Sequence, residues 1–100
     1  MEELSKNREL EQVFKALADV TRLKIVQMVS DKEMCVYDIF QELNISQPAV
    51  SHHLKILKQA GLIVGCKKGK RVLYSVDDNR RDFFKLIDWY YNQELKTKNF

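Results

Sequence analysis

A mainly α fold of about five helices with one small β-hairpin is predicted by three features of this 100-residue sequence. Apolar residues recur at helical spacing through most of the chain, at Leu10, Val13, Phe14 and Leu17, again from Val20 to Val29, and at Val50, Leu54 and Leu57. A short helical pattern over 36–43 is followed by a three-residue turn and a longer polar-faced pattern over 46–60, which is a helix-turn-helix. Directly after it, Leu62-Ile63-Val64 and Arg71-Val72-Leu73-Tyr74-Ser75-Val76 flank a basic, glycine-bearing turn, the pattern of a β-hairpin. A hairpin in that position is a wing, and the whole reads as a winged helix-turn-helix over 1–100.

Taken in order, residues 3–17 form an amphipathic helix whose stripe of Leu10, Val13, Phe14 and Leu17 needs a partner. Asp19 is the N-cap candidate of a second helix, broken at Ser30-Asp31-Lys32. Val36, Ile39, Phe40 and Leu43 give a short third helix, and Asn44-Ile45-Ser46 turns the chain. Ser46 then caps the fourth helix, Pro48 is tolerated because first-turn amides have no intrahelical partner, and Gly61 stops it. The wing spans 62–76, with its turn at Gly65-Cys66-Lys67-Lys68-Gly69-Lys70. Asp77-Asp78-Asn79 supplies caps for a last helix over 79–95.

On the fourth helix Val50, Leu54 and Leu57 make one apolar line, while Ser46, Gln47, Ser51, His52 and Lys55 offer hydroxyl, amide, imidazole and ammonium groups on another. That wet face holds no carboxylate, so nothing on it repels phosphate, and its groups suit base edges in a major groove. Lys67, Lys68, Lys70 and Arg71 place four cations in five residues, although the net charge is only +3. These nine residues are the predicted DNA contacts, the helix reading bases and the wing holding phosphates.

The last helix concentrates five of the ten aromatic residues between 83 and 91. That is more apolar surface than a chain of this size needs for its own core, so the helix is expected to pack with the N-terminal helix across a homodimer, through Leu10, Phe14, Phe84, Ile87, Trp89 and Tyr91. The competing reading is a helix that caps its own core. Two cysteines, Cys35 and Cys66, lie 31 positions apart, with no Cys-x-x-Cys, no signal peptide and no long apolar run. These features predict a reduced, cytoplasmic protein with no membrane segment. An enzyme is not expected, since neither Cys has a His nearby in sequence and no glycine loop could cradle a phosphate.

Several segments resemble the ArsR/SmtB family of winged-helix transcriptional repressors, over residues 10 to 95. The run from Phe14 to Ile25 is similar to its second-helix signature, with Val20 where the family usually has proline. The run from Ser46 to Lys55 and Ala60-Gly61-Leu62-Ile63 are similar to its recognition helix and the start of its wing. The resemblance implies a dimeric repressor on a double-stranded operator with an inverted repeat, released by an inducer such as Zn(II), Cd(II), Pb(II) or As(III). The ligand sets for those ions are incomplete here. Where arsenic-sensing members read Glu-Leu-Cys-Val-Cys-Asp-Leu-Cys, this chain has Glu33-Met34-Cys35-Val36-Tyr37-Asp38-Ile39-Phe40, keeping only Cys35. Soft-metal sites need several thiolates or imidazoles, so Cys35 is at most a partial ligand. The family's other site uses histidines on the last helix, and residues 77–100 contain none.

No metal or other cofactor is assigned, and the inducer is open. Cys35 is either a buried structural residue or a thiol sensor, and Cys66 in the wing is the lesser candidate. The expected function is a homodimeric, sequence-specific DNA-binding repressor. The alternative is a winged-helix module for protein partners with no small-molecule effector.

Overall fold

The computed structural model describes residues 2–98, with side chains through residue 93. Its elements are α1 (Glu2–Leu17), α2 (Val20–Asp31), α3 (Val36–Leu43), α4 (Gln47–Gln59), β1 (Ile63–Lys68), β2 (Arg71–Val76), a single 3-10 turn (Asp78–Arg80) and α5 (Arg81–Lys98). This is the predicted winged helix-turn-helix. The last helix differs in its start: Asp77 caps the 3-10 turn by accepting from the Asn79 amide at 2.9 Å, and α5 begins only at Arg81.

Both ends of α4 are locked by local chemistry. Ser46 Oγ accepts from the Ala49 amide at 3.2 Å, which satisfies one of the first-turn donors. At the other end the Gly61 amide donates to the Lys58 carbonyl and the Leu62 amide to the Leu57 carbonyl, both at 3.0 Å. That pair of bonds is a Schellman ending, and it requires the left-handed backbone that Gly61 adopts at φ +73°. Leu57 and Leu62, which such an ending brings together, are both fully buried. The chain therefore leaves the helix at a fixed angle and enters β1.

The core is one cluster drawn from every helix and from the base of the wing. Ile25, Val26, Val29, Ile39, Val50, Leu57, Leu62 and Ile63 lose essentially all their exposure. From α1 the core takes Val13, Ala16 and Leu17, so the expected stripe splits: Leu10 and Phe14 remain exposed. From α5 it takes Phe84, which is 3% exposed. Phe84 was expected at a dimer face; it points into its own protomer instead, because α5 also has to close the core beside α2.

The hairpin turn lies nearer the tip than predicted. β1 and β2 pair without interruption from Ile63↔Val76 to Lys68↔Arg71, leaving only Gly69-Lys70 as the turn. Gly69 takes φ +65°, the glycine-first arrangement that suits the twist of a two-residue hairpin. Gly65 is not a turn residue but a strand residue whose missing side chain leaves room for its neighbours. A Cβ there would meet Val72 Cγ1 at 3.0 Å and Tyr74 Cε1 at 3.1 Å.

Gly61→Ala isolates the backbone requirement, because the nearest atom to a Cβ there is Arg80 Nη2 at 3.8 Å and no clash arises. Chemical denaturation should show a loss of about 1 kcal/mol from the left-handed backbone alone. An unchanged stability would mean that α4 does not end as described.

Candidate nucleic-acid interface

With Val50, Leu54 and Leu57 buried, the opposite side of α4 faces solvent. Ser46, Gln47, Ser51, His52 and Lys55 are all exposed, as the helical spacing required. The elements that hold α4 in place are α1, α2, α3 and β1, all of which pack against it. The N-terminal end of α4 lies beyond the tight turn from α3, made by Asn44 in the left-handed region at φ 55°. An asparagine tolerates that conformation better than most residues.

In the wing, Lys67, Lys68, Lys70 and Arg71 are exposed. Lys68 is not free. Its Nζ lies 3.3 Å from Glu33 Oε1, an exposed ion pair between the wing and the segment before α3. The next residue strengthens the connection: Met34 donates its amide to the Tyr74 carbonyl at 3.1 Å and accepts from the Tyr74 amide at 2.8 Å. This isolated bridge ties the wing to the start of the helix-turn-helix. Nothing in the sequence signalled it, because a single extended residue has no periodicity.

Cys35 follows directly and is buried. It stands at the N-cap of α3, where Asp38 accepts from both the Cys35 amide at 3.3 Å and its Sγ at 3.2 Å. The thiol hydrogen bond, with the backbone bond second, holds the Asp38 carboxyl below the usual carboxylate range. Cys66 is exposed on β1, opposite Leu73. Among the described residues no three His, Cys, Asp or Glu side chains converge to hold a metal ion.

The two histidines separate. His52 is exposed, whereas His53 turns inward and its Nδ1 lies 3.2 Å from Arg22 Nη1. Burial of the ring lowers the His53 pKa from its ordinary value, the Arg22 and His52 charges act in the same direction, and Asp19 opposes them. Arg22 also donates from Nε to the Ala16 carbonyl at 2.6 Å, at the end of α1, while its backbone amide donates to Asp19 Oδ2 at 3.0 Å. That amide bond is the main reason the Asp19 carboxyl is held low, and it confirms Asp19 as the cap of α2. No local pattern in the sequence marks Arg22, since its partner lies 31 residues away.

A second exposed surface is apolar. Leu10 is 45% exposed, and Phe14, Trp89 and Tyr91 are 55%, 56% and 55% exposed, with Leu86 and Tyr90 exposed as well. Ile87 is half-buried against the core. The Phe14 and Phe83 rings meet with centroids 5.9 Å apart, which joins α1 to α5. These exposed apolar residues all belong to α1 and α5.

The family described as "Bacterial regulatory protein, arsR family" matches residues 19–64, which run from the cap of α2 to the start of the wing. The chain is 40% identical over 87 residues to the uncharacterized HTH-type transcriptional regulator MJ1325 of Methanocaldococcus jannaschii, covering 85% of this chain and 98% of that one. It is 46% identical over 65 residues to the transcriptional repressor SdpR of Bacillus subtilis, covering 65% of this chain and 72% of the relative. In fold it is similar to the homodimeric winged helix-turn-helix DNA-binding domain of Mb0332 from Mycobacterium bovis, with a TM-score of 0.86, 24% identity and coverage of 95% and 89%. A capped polar helix with a wing behind it, in a chain this similar to known regulators, leads to one conclusion: the protein belongs to the arsR family of bacterial regulatory proteins and is a transcriptional regulator, not an enzyme.

Proposed function

We propose that the protein is a homodimeric repressor working in the cytoplasm, whose α4 reads base edges in the major groove of an inverted-repeat operator while the wing lies along phosphates. The observation that carries this reading is the exposed face of α4, where Ser46, Gln47, Ser51, His52 and Lys55 stand with no carboxylate among them. A helix that docked protein partners would bury large apolar groups on that face, where the exposed apolar residue is the small Pro48. The wing cations extend the positive surface. Of these, Lys68 must leave Glu33 to reach a phosphate.

Dimerisation is proposed through Leu10, Phe14, Ile87, Trp89 and Tyr91, with Phe84 supporting the helix from beneath. Two copies are needed because half-sites lie about 34 Å apart along the duplex, and one recognition helix reaches only one of them. For release, we place the sensor at Cys35. A metalloid or oxidant adduct on Sγ would remove the hydrogen bond to Asp38 at the first turn of α3, where the helix-turn-helix and the wing anchor meet. Cys66 is the second candidate. Zinc is not expected to act through α5, which carries no histidine.

Replacing Gln47 with Ala should weaken the preferred duplex by roughly 1–3 kcal/mol relative to random DNA. Replacing Lys67 and Lys70 should instead weaken all duplexes alike and flatten the slope of log affinity against log salt by about one unit per lost contact. Wing variants that changed sequence preference and left the salt slope intact would contradict the division of roles.

Trp89→Asp should convert a species of twice the chain mass, measured by sedimentation at micromolar concentration, towards monomer, and operator binding should disappear with it. A wild-type monomer, or a dimer indifferent to this change, would move the interface elsewhere.

Cys35→Ser keeps a donor for Asp38 and should bind DNA as wild type does. Arsenite, mercury or peroxide should release wild type from DNA and leave this variant bound, and micromolar zinc should affect neither. Equal release of both proteins would point to Cys66.

A further inference from the structure

The contact between Arg22 and His53 joins three elements that must stay in register if α4 is to present its polar face. A guanidinium has only donors, so at 3.2 Å from Arg22 Nη1 the His53 Nδ1 must be the acceptor. His53 is therefore the neutral tautomer with its proton on Nε2. The same guanidinium donates to the Ala16 carbonyl at 2.6 Å and reaches, at 3.5 Å, the Lys15 carbonyl, which also accepts from the Ala18 amide at 3.3 Å; both carbonyls are in the last turn of α1. Arg22 belongs to the first turn of α2 and is fixed there through its amide bond to Asp19. One side chain thus spans the end of the helix that carries Leu10 and Phe14, the start of α2, and the middle of α4.

From this junction we infer that Arg22 is a positioning residue for DNA binding, holding α4 through neutral His53 and making the register of the recognition helix depend on the protonation state of that one ring. Its neighbours in sequence, His52 and Leu54, show why the position matters. His52 projects to solvent with the predicted base-reading groups and Leu54 is buried, so a rotation of α4 that freed His53 would displace both. The inference rests on the DNA-binding reading proposed above and adds to it a residue that touches no DNA.

The direction of the pH effect follows from the groups around the ring. These are Arg22 from α2, Asp19 from the turn before α2 and His52 from α4 itself, and α1 contributes the Lys15 and Ala16 carbonyls to the shared guanidinium. Protonation removes the acceptor at Nδ1 and sets an imidazolium against a guanidinium. Burial and the two cations outweigh Asp19, so the folded-state pKa lies below the ordinary value of 6.5. The contact is then fully present above the ordinary value and is lost as pH falls through the lowered one.

The test uses the full chain and a duplex selected by wild-type protein from a random-sequence pool, with a mixed-sequence duplex as reference. Arg22→Gln should weaken the selected duplex about tenfold more than the reference. His53→Gln, whose side-chain carbonyl can accept from Arg22 but cannot titrate, should bind like wild type at pH 7.5, and His53→Leu should resemble Arg22→Gln. On lowering the pH stepwise from 7.5 to the acid edge of the folded state, wild-type affinity should fall relative to that of His53→Gln, a ratio in which the groups the two proteins share cancel. Should Arg22→Gln fail to fold, the two His53 variants decide the question alone. A constant ratio across this pH range, or a His53→Leu protein that binds as wild type does at pH 7.5, overturns the inference while leaving the DNA-binding reading intact. Failure of wild type to enrich any duplex overturns both.

Discussion

The burial of Val50, Leu54 and Leu57 is the constraint on which the rest of this molecule depends. A helix of thirteen residues has little stability of its own in water, so α4 exists because that stripe is removed from solvent. Burying one side dictates what the other side shows. Each side chain on the exposed face is oriented by the packing beneath it, and the Ser46 cap and Schellman ending fix where the face begins and where the wing departs. The apolar stripe thereby positions groups that it never touches.

That arrangement has a consequence for regulation. Residues 33–35 contribute, in succession, an ion pair to the wing tip, a backbone bridge to β2 and the N-cap of α3. The wing and the helix-turn-helix therefore share one short attachment. A change in that segment would reach both proposed DNA-contacting elements together, and the exposed ion pair contributes less to this linkage than the backbone bridge does. On the opposite side, Arg22 gives α1 a comparable hold on α4, so the helix that carries the proposed dimer contacts also touches the helix proposed to read DNA.

Elements whose cause is local were legible from sequence. Asp19, Ser46 and Gly61 marked helix ends correctly because capping is settled within three or four residues, and the polar side of α4 followed from a period of 3.6. What failed to show was non-local. Gly65, in a cluster of glycine and lysine, looks like a turn residue in sequence, whereas its pairing with Tyr74 and its packing against Val72 and Tyr74 make it a strand residue. Phe84 was indistinguishable in sequence from its aromatic neighbours, and which of them enters the core depends on how α5 lies beside α2. Glu33 with Lys68, Met34 with Tyr74, and Arg22 with His53 join residues 31 to 40 positions apart, and no periodicity records such pairs.

The central claim is that DNA meets the α4 face and the wing, while the aromatic face of α1 and α5 meets a second copy of the chain. Backbone amide NMR of labelled protein, titrated with the duplex it selects, tests this most directly. The account predicts the largest shift changes from Ser46 to Lys55 and from Lys67 to Arg71, with the amides near Leu10, Phe14 and Trp89 little altered. Changes concentrated on α1 and α5, with α4 silent, would contradict it.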